Sequence, residues 1–379
     1  MARRAGRPGM GLDKVQVLLY KQAENVYFAK GNSLVAPARR VSIVDVAREA
    51  KVSVATVSRI LSNADYPVSP EARARVLEAA RRLDYVPDAI ARALVRRQTK
   101  IIALTVHDIA DPYFAEIARA VEDACQADGY SALICSTDRD PDKELRVVRS
   151  FRAFRPDGLI FAGGCPEDPG HVENLRREVA SLIARGTQVV ALSRHPVGVP
   201  MVRVDNVAVA RAATEHVISL GHRRIAFIAG QPNFTTSTDR FQGYCQALAN
   251  HGLPCDPDLV AVGWYTWDGG YRATRELLAR GVDFSALVAS TDIMAIGALV
   301  ALREAGIPVP ERVSLVSMND LPIASVVDPP LTTVSFRGRD LATVAVRLIL
   351  DARNGAKIPE DTVLGFELKV RRSTRPYSA

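Results

Sequence analysis

The chain has 379 residues but only five cysteines, and these follow no metal-binding pattern. They contain no C-x-x-C pair and none of the ligand spacings typical of zinc sites. The basic N-terminus is followed by "VQVLLY", which is too short for the apolar segment of a secretory leader. An odd, scattered set of cysteines without an export signal predicts reduced thiols in the core of a cytoplasmic protein, with no metal or other cofactor. The cysteines are Cys125, Cys135, Cys165, Cys245 and Cys255.

Long apolar runs and catalytic motifs are missing as well. No stretch of about 18 apolar residues occurs, so the sequence predicts no membrane span and no membrane partner. There is no G-x-S-x-G, no H-E-x-x-H and no phosphate-binding loop. The first predicted strand is followed by "HDIADPYF" instead of a glycine-rich turn, which argues against dinucleotide binding. We therefore predict a binding protein without catalytic residues.

The charge is concentrated at one end of the chain. Residues 1–100 contain 19 Lys and Arg against 9 Asp and Glu, whereas the remainder has 30 against 33. A basic first quarter on a near-neutral body indicates contact with a polyanion. Residues 1–40 carry a net charge of +6 and are expected to be a disordered extension.

Residues 41–87 have the pattern of three short helices. Ser42, Ser53 and Ser69 each precede an amphipathic run and are typical N-caps. A turn of only a few residues separates the first two predicted helices, which is characteristic of a helix-turn-helix. The predicted helices span 43–50, 53–61 and 70–83.

The second predicted helix, "VSVATVSRIL", has two different faces. Val57, Ile60 and Leu61 fall on one side and would pack on the first helix. The opposite side is small except for Arg59, whose two donors could read a guanine edge in the major groove. Taken alone, such a helix is more simply a solvated surface helix, but its three-helix setting favours DNA binding. The residues predicted to contact DNA here are Ser53, Val54, Ala55, Thr56, Ser58, Arg59 and Ser62.

A fourth short helix, "AIARALVRR", follows Asp88. Leu94 shares a face with Ile90 and Ala91, which on its own indicates a core-facing stripe. The flanking arginines and the position between two domains favour a second interpretation, in which Leu94 enters a minor groove and separates a base step.

From residue 101 onward, strand-length apolar runs alternate with amphipathic helices, which predicts parallel sheets covered on both faces. The span is long enough for two lobes, with crossovers near 202–206 and 329–336. The fold class is therefore α/β, with an all-α headpiece. Predicted strands are 101–106, 132–136, 159–162, 188–192, 224–229, 286–289 and 313–317, and predicted helices include 114–128, 207–220, 240–251 and 293–305.

Polar and aromatic side chains follow several of these strands. Ligands of open α/β sheets bind beyond the carboxyl ends of the strands, and aromatics with hydrogen-bonding groups suit a small polar molecule such as a sugar. Each residue alone is more simply loop or core structure, but together they predict a binding cleft. They are His107, Asp108, Tyr113, Phe114, Arg240, Tyr265, Trp267, Asp292 and Asn319.

These motifs resemble the LacI/GalR family of bacterial transcription regulators. The resemblance covers residues 41–375 and rests on "VSIVDVAREAKVSVATVSRIL", "VSPEARARVLEAARRLDYVPDAIARAL", "LGHRRIAFIAG" and "DPPLTTV". It implies a headpiece, a hinge helix and a two-lobed sugar-binding body like that of periplasmic binding proteins. The implied boundaries are 41–87 for the headpiece, 88–100 for the hinge helix and linker, and 101–375 for the body. Lobe 1 would comprise about 101–204 and 336–363, and lobe 2 about 205–335 and 364–375.

The resemblance also implies roles for individual residues. Val54, Ala55 and Arg59 match base-reading positions, and Leu94 matches the leucine that opens a central operator step. In the body, Phe114 matches an aromatic residue at the floor of the pocket, Arg240 matches an arginine that holds the ligand, and Tyr265 matches an aromatic residue that stacks on it. Thr291 and Asn319 match two positions that are commonly Asn or Asp.

Two departures from the family pattern bear on function. The frequent "ND" and "FDD" are here "TD" and "MND", which leaves fewer carboxylates for a neutral sugar. With Arg194 and Arg240 available, we hypothesise that the effector is a sugar acid or another anion. Lys51 stands where the turn often has glycine. A positive φ there would strain it, and with a negative φ it would simply add a phosphate contact.

The sequence thus predicts a ligand-responsive, homodimeric DNA-binding repressor with a near-palindromic operator. Two alternatives differ in class. An exported sugar-binding transport component would have a leader and no basic headpiece. A carbohydrate-acting enzyme fused to a DNA-binding domain would have a phosphate-binding loop or a poised carboxylate.

Overall fold

The computed structural model describes residues 41–61, 67–85 and 98–378. The chain divides into two compact units between Ala91 and Arg92. We call the described part of the first unit the headpiece and that of the second unit the body. No helix in the described ranges is both long enough and apolar enough to cross a membrane.

The headpiece is formed by three helices, as the sequence predicts: α1 (Ile43–Ala50), α2 (Val54–Leu61) and α3 (Pro70–Arg82). A capping box begins α1. The Asp45 carboxylate accepts from the Ser42 N–H at 2.9 Å, and Ser42 Oγ accepts from the Asp45 N–H at 3.4 Å. Two amide groups that the helix cannot pair are thereby satisfied.

A small apolar core joins the three helices. Val46 of α1, Val57 of α2 and Val76 of α3 are each completely buried and belong to one cluster. Arg75 Nε donates to the carbonyl of Ala50 at 3.2 Å, which pairs the end of α1 with α3. The core therefore fixes which face of α2 is turned outward.

Lys51 ends α1 in the left-handed conformation, with φ 53° and ψ 48°. Its N–H bonds to carbonyls of the last turn of α1, as in glycine-terminated helices. A residue with a Cβ is strained in this conformation, by about 1–2 kcal/mol. The strain anticipated from the sequence at this position is therefore present.

The body contains two six-stranded sheets. The first has the order β11-β5-β4-β3-β1-β2 and the second β12-β10-β9-β8-β6-β7. Strand pairs are parallel except β10 with β12. The first sheet defines lobe 1 and the second lobe 2. The strands are β1 (Ile101–Val106), β2 (Ser131–Ser136), β3 (Gly158–Phe161), β4 (Gln188–Ala191), β5 (Met201–Val204), β6 (Ile225–Ala229), β7 (Val260–Val262), β8 (Ala286–Ala289), β9 (Ser314–Asn319), β10 (Thr332–Ser335), β11 (Asp361–Leu364) and β12 (Glu367–Lys369).

Helices cover the sheets, and the two-lobed α/β fold is confirmed. The chain passes from one sheet to the other after β5, after β10 and after β11. The helices are α4 (Pro112–Ala127), α5 (Pro141–Phe154), α6 (Pro169–Ile183), α7 (Asn206–Ser219), α8 (Thr235–Asn250), α9 (Trp267–Ala279), α10 (Asp292–Glu304) and α11 (Gly338–Arg353), with short 3₁₀ turns at Pro257–Leu259 and Pro322–Ser325.

One sequence expectation about the cysteines is wrong. Cys245 and Cys255 form a disulfide with their Cα atoms 5.5 Å apart, whereas Cys125, Cys135 and Cys165 are free. Cys245 lies in α8 and Cys255 in the loop that follows it. The chain turns back after this helix, and that reversal is invisible to a spacing rule.

Replacing Lys51 by glycine is expected to stabilise the headpiece by about 0.5–1 kcal/mol. The change removes the left-handed strain and adds a smaller cost from the freer unfolded chain. Hydrogen exchange of α1 and α2 amides in the full chain measures the difference. Lys51→Ala removes the same charge but keeps the Cβ, so equal protection in the two variants would contradict this assignment of strain.

Candidate functional site

The outward face of α2 is small and smooth, as expected from the sequence. Ser53, Val54, Ala55 and Arg59 are exposed, whereas Val57 and Ile60 are buried against the other helices. Thr56 and Ser58 are half-buried at the border between the two faces. A face of this kind can approach the floor of a major groove closely, with one long donor side chain extending from it.

The hydroxyl groups at the start of α2 form a local pair. Ser53 Oγ accepts from the Thr56 N–H at 3.1 Å and lies 2.8 Å from Thr56 Oγ1. This pair caps the helix and still leaves hydroxyl capacity at an exposed N-terminus, where phosphate groups bind favourably. Two predicted DNA contacts, Ser62 and Leu94, lie outside the described residues.

A pocket in the body lies between the two lobes, beyond the carboxyl ends of strands from both sheets. Seven of the eleven residues predicted from the sequence for the cleft line it: His107, Tyr113, Phe114, Arg240, Tyr265, Thr291 and Asn319. The other lining residues are Asp111, Arg139, Gly163, Gly164, Leu192, Ser193, Val204, Asn206, Phe234, Thr236 and Phe336.

Four residues predicted for the cleft lie outside this lining. Trp267, at the start of α9, is 45% exposed. Arg194 is partly exposed and forms ion pairs with Asp239 at 2.8 Å and Glu167 at 3.0 Å. Half-buried Asp108 accepts from the N–H of the nearby Ala110 at 2.9 Å.

Asp292 is completely buried beneath the pocket. It accepts hydrogen bonds from Ser317 Oγ at 2.5 Å, the Leu321 N–H at 2.6 Å and Thr333 Oγ1 at 2.8 Å. Burial is the main cause that raises its pKa, to about 6. Its carboxylate therefore organises the loops around the pocket instead of facing a ligand.

Arg240, in α8, is one of two arginines in the pocket. It is 4% exposed, its Nε donates to Asn206 Oδ1 at 2.9 Å, and Nη1 donates to the carbonyl of Ser290. Its guanidinium also lies 5.5 Å from the ring centre of Phe336. These partners hold the guanidinium group in one orientation, which allows its remaining N–H groups to donate to a ligand in a defined direction.

Arg139 is the second arginine, and sequence reasoning missed it. It lies in the turn after β2 with φ 56°, and Asp138 before it also has a positive φ. The guanidinium carbon is 5.3 Å from the Tyr265 ring centre and 5.9 Å from that of Phe114. The carboxylate of Asp111, which also lines the pocket, is 3.7 Å from the guanidinium group, and burial lowers the pKa of Arg139.

The aromatic floor of the pocket surrounds a neutral histidine. His107 meets Phe114 edge-on at 5.4 Å and Phe234 at 5.6 Å. Burial first, and then the charge of Arg139, lower the pKa of His107 to about 3. The positive charge of the pocket therefore comes from the two arginines and not from histidine.

Several buried polar atoms of the pocket lack a partner within the described part of the chain. They include Arg139 Nε, Thr236 Oγ1 and Asn319 Oδ1. An unpaired buried polar group costs about 1–3 kcal/mol, so a cluster of them indicates a polar ligand or ordered water.

The pair Gly163-Gly164 allows the lobes to come close at this point. A Cβ on Gly163, which has φ +100°, would lie 2.5 Å from the His107 ring. A Cβ on Gly164 would lie 2.8 Å from Thr236 Oγ1 in the other lobe. This role was not apparent from the glycine pair alone.

One available signal could have identified Arg139. It directly follows a predicted strand, in "STDRDP", as the other pocket residues follow theirs. Arg194 follows a strand too, and only the positions of acidic neighbours separate the two arginines.

A pocket between two parallel-sheet lobes, with a helix-turn-helix headpiece on the same chain, defines a ligand-binding regulator of the periplasmic-binding type. The family model "Bacterial regulatory proteins, lacI family" matches residues 42–88, and "Periplasmic binding protein-like domain" matches residues 214–374. The chain belongs to the lacI family of bacterial regulatory proteins. It is a DNA-binding transcriptional regulator, and the resemblance seen in the sequence is confirmed.

Relatives match almost the whole of the chain. Catabolite control protein A of Priestia megaterium is 32% identical over 337 residues, which cover 88% of this chain and 99% of the relative. The transcriptional repressor CytR of Escherichia coli strain K12 is 32% identical over 332 residues, covering 87% and 95%.

Solved structures have the same fold. The lac repressor dimer bound to operator and the anti-inducer ONPF has a TM-score of 0.79 at 25% identity, covering 89% of this chain and 100% of that chain. The regulator CelR in complex with cellobiose has a TM-score of 0.65 at 32% identity, covering 88% and 100%.

The buried carboxyl of Asp292 predicts a pH-dependent stability. Its folded pKa of about 6 exceeds the ordinary 3.8, so its favourable contribution is complete below 3.8 and is lost as the pH rises through 6. When the pH is lowered from 7 to 4, the free energy of unfolding of the unmodified chain should therefore rise, relative to that of Asp292→Asn, by on the order of 2–3 kcal/mol.

Urea unfolding of both proteins across this pH range measures the change. Asp328→Asn, at a carboxyl that is 92% exposed, is the matched control and should show a flat difference. A flat difference for Asp292→Asn as well would contradict the raised pKa.

Proposed function

We propose that this protein is an effector-controlled repressor that binds an inverted-repeat operator as a homodimer. The observation that carries the proposal is the smooth outward face of α2, held by a buried core and bearing one exposed arginine, on the same chain as an interlobe pocket. A homodimer presents two such helices, so its operator contains two related half-sites. Selection from random DNA with the purified chain should enrich an inverted repeat, and failure to enrich any sequence would overturn the proposal.

At the operator, α2 enters the major groove and Arg59 donates to guanine. Val54 and Ala55 are exposed and apolar, which suits contact with thymine methyl groups. Ser53, Thr56, Ser58 and Ser62 bind phosphates and set the position of the helix without reading sequence. Leu94 contributes by opening a base step, so part of the specificity comes from DNA deformability.

The effector binds in the interlobe pocket and changes the relative stability of two lobe arrangements. Ligand groups that contact both lobes favour closure, because Arg139 belongs to lobe 1 and Arg240 to lobe 2. Coupling to the operator follows if closure alters how the two headpieces are presented to DNA.

The effector is proposed to be a small hydroxylated molecule with an anionic group, such as a sugar acid. The two arginines face one pocket carboxylate, Asp111, so the described lining has excess positive charge. The unpaired oxygen atoms of Thr236 and Asn319 suit hydroxyl groups, and Tyr265 and Phe336 offer flat apolar surfaces.

Binding without turnover is the better-supported activity of this pocket. His107, with a pKa of about 3, is a poor base at neutral pH, and Asp111 is paired with Arg139. Burial raises the pKa of Asp111, but its carboxylate already accepts from the Tyr113 N–H at 3.0 Å as the cap of α4.

Changing Arg59 to alanine tests the reading of the operator. The variant should lose about 1–3 kcal/mol of affinity per half-site and relax the preference at one base pair of each half-site. Binding titrations against the selected operator and its single-base variants measure both effects. Arg81→Ala, at an exposed arginine of α3, should leave the base preference intact. An unchanged base preference in Arg59→Ala would contradict the assignment.

Changing Arg139 to methionine tests the charge of the effector. Binding of a sugar acid should weaken about 10- to 100-fold, because a buried charged hydrogen bond is worth about 1.5–3 kcal/mol. The matching neutral sugar should be affected little. Calorimetric titration of paired sugars and sugar acids measures this, with Arg146→Met at an exposed arginine of α5 as the control. Tight binding of neutral sugars only would contradict an anionic effector.

A further inference from the structure

A second cluster of polar groups lies in lobe 1, outside the lining of the effector pocket. It consists of Glu144 from α5, Cys165 from the loop after β3, and His171 from α6. All three residues are buried, with exposed fractions of 5%, 0% and 6%, respectively. One potential ligand atom from each lies within 4.8 Å of the other two.

The histidine of this cluster is only half satisfied. Glu144 Oε2 lies 2.7 Å from His171 Nε2. His171 Nδ1 is buried and has no hydrogen-bond partner in the described ranges. Every neutral imidazole has one donor and one acceptor nitrogen, so a buried ring that uses only one of them is costly. The unpaired nitrogen is a buried position at which a further group can bind His171.

We propose that Glu144, Cys165 and His171 bind one zinc ion or a similar transition-metal dication. Sulfur, imidazole nitrogen and carboxylate oxygen are the donors that Zn²⁺ takes, whereas calcium and magnesium require oxygen ligands. On binding, the Cys165 thiol releases its proton to solvent and the thiolate bonds to the metal. Two anionic ligands then neutralise the dication within the buried site, and a fourth position is left for water.

The position of the cluster gives such a metal a structural role between the lobes. The Cys165 N–H donates to Thr235 Oγ1 at 3.0 Å, and the Cys165 carbonyl accepts from the Thr235 N–H at 3.0 Å. Thr235 begins α8 of lobe 2, and Gly163-Gly164 directly precede Cys165 at the pocket. A metal on Cys165 would therefore hold one of the loops through which lobe 1 contacts lobe 2.

Cobalt and zinc titrations of the full chain test the proposal. After treatment with a chelator, the protein should bind one Co²⁺ per chain and show the sulfur-to-cobalt charge-transfer absorption of a thiolate ligand. Added Zn²⁺ should abolish that absorption by displacement. Cys165→Ser should remove the absorption and weaken Zn²⁺ binding by about 100-fold or more, since even changes beyond the direct ligands cost 10- to 100-fold.

Two further variants keep the outcome decisive. Cys125→Ser, at another buried free cysteine, is the matched control and should bind metal normally. Glu144→Gln should weaken binding while retaining the thiolate absorption, and circular dichroism should show both lobes folded. The proposal is overturned by absence of stoichiometric binding, by a thiolate absorption that persists in Cys165→Ser, or by loss of the absorption only when Cys245 or Cys255 is replaced.

Discussion

The parallel direction of the strands is the constraint on which the functional structure of the body depends. A parallel strand must return through a helix or another long connection, so the residues that follow successive strands gather at one edge of the sheet. Two such edges contribute to one pocket here, because the chain passes repeatedly between the sheets. Arg139 follows β2 of the first sheet, whereas Asn319 ends β9 of the second. Neither lobe alone contains the complete set of pocket residues, which makes the pocket sensitive to lobe arrangement.

The main energetic consequence is the burial of two guanidinium groups in one pocket, where the Arg240 residue is 4% exposed and the Arg139 side chain 12%. Arg240 is stabilised by oxygen acceptors and an aromatic ring, whereas Arg139 has two rings and a carboxylate at 3.7 Å. Buried charge without full compensation is unfavourable, and an anionic ligand supplies what is missing. A ligand that relieves this cost in one lobe arrangement also shifts the population toward that arrangement. In the proposed mechanism, the positive charge that selects an anionic effector also favours the lobe arrangement in which both arginines contact it.

Much of the fold was predictable because residues near one another in the sequence determine its helices and strands. Capping serines, apolar periodicity and strand-length apolar runs predicted the three headpiece helices and most central strands, generally within two residues at each end. The predictions were weaker where residues distant in the sequence determine the position of a side chain. Arg194 was expected in the pocket, but Asp239 and Glu167 hold it outside, while Arg139 lines it. Both arginines follow strands, so only their tertiary partners distinguish them. The disulfide of Cys245 with Cys255 depends on a chain reversal that their spacing does not reveal.

The sequence by itself determined the family, the order of helices and strands, and the side of α2 that faces outward. Each of these follows from residues near one another in the chain, where helical and strand periodicity dictate which side chains share a face. The tertiary structure alone decided which charges are buried together, which polar atoms remain unpaired, and that Glu144, Cys165 and His171 meet. Those facts depend on contacts between distant segments, and the free energy of a buried charge or donor is set by all of its neighbours at once.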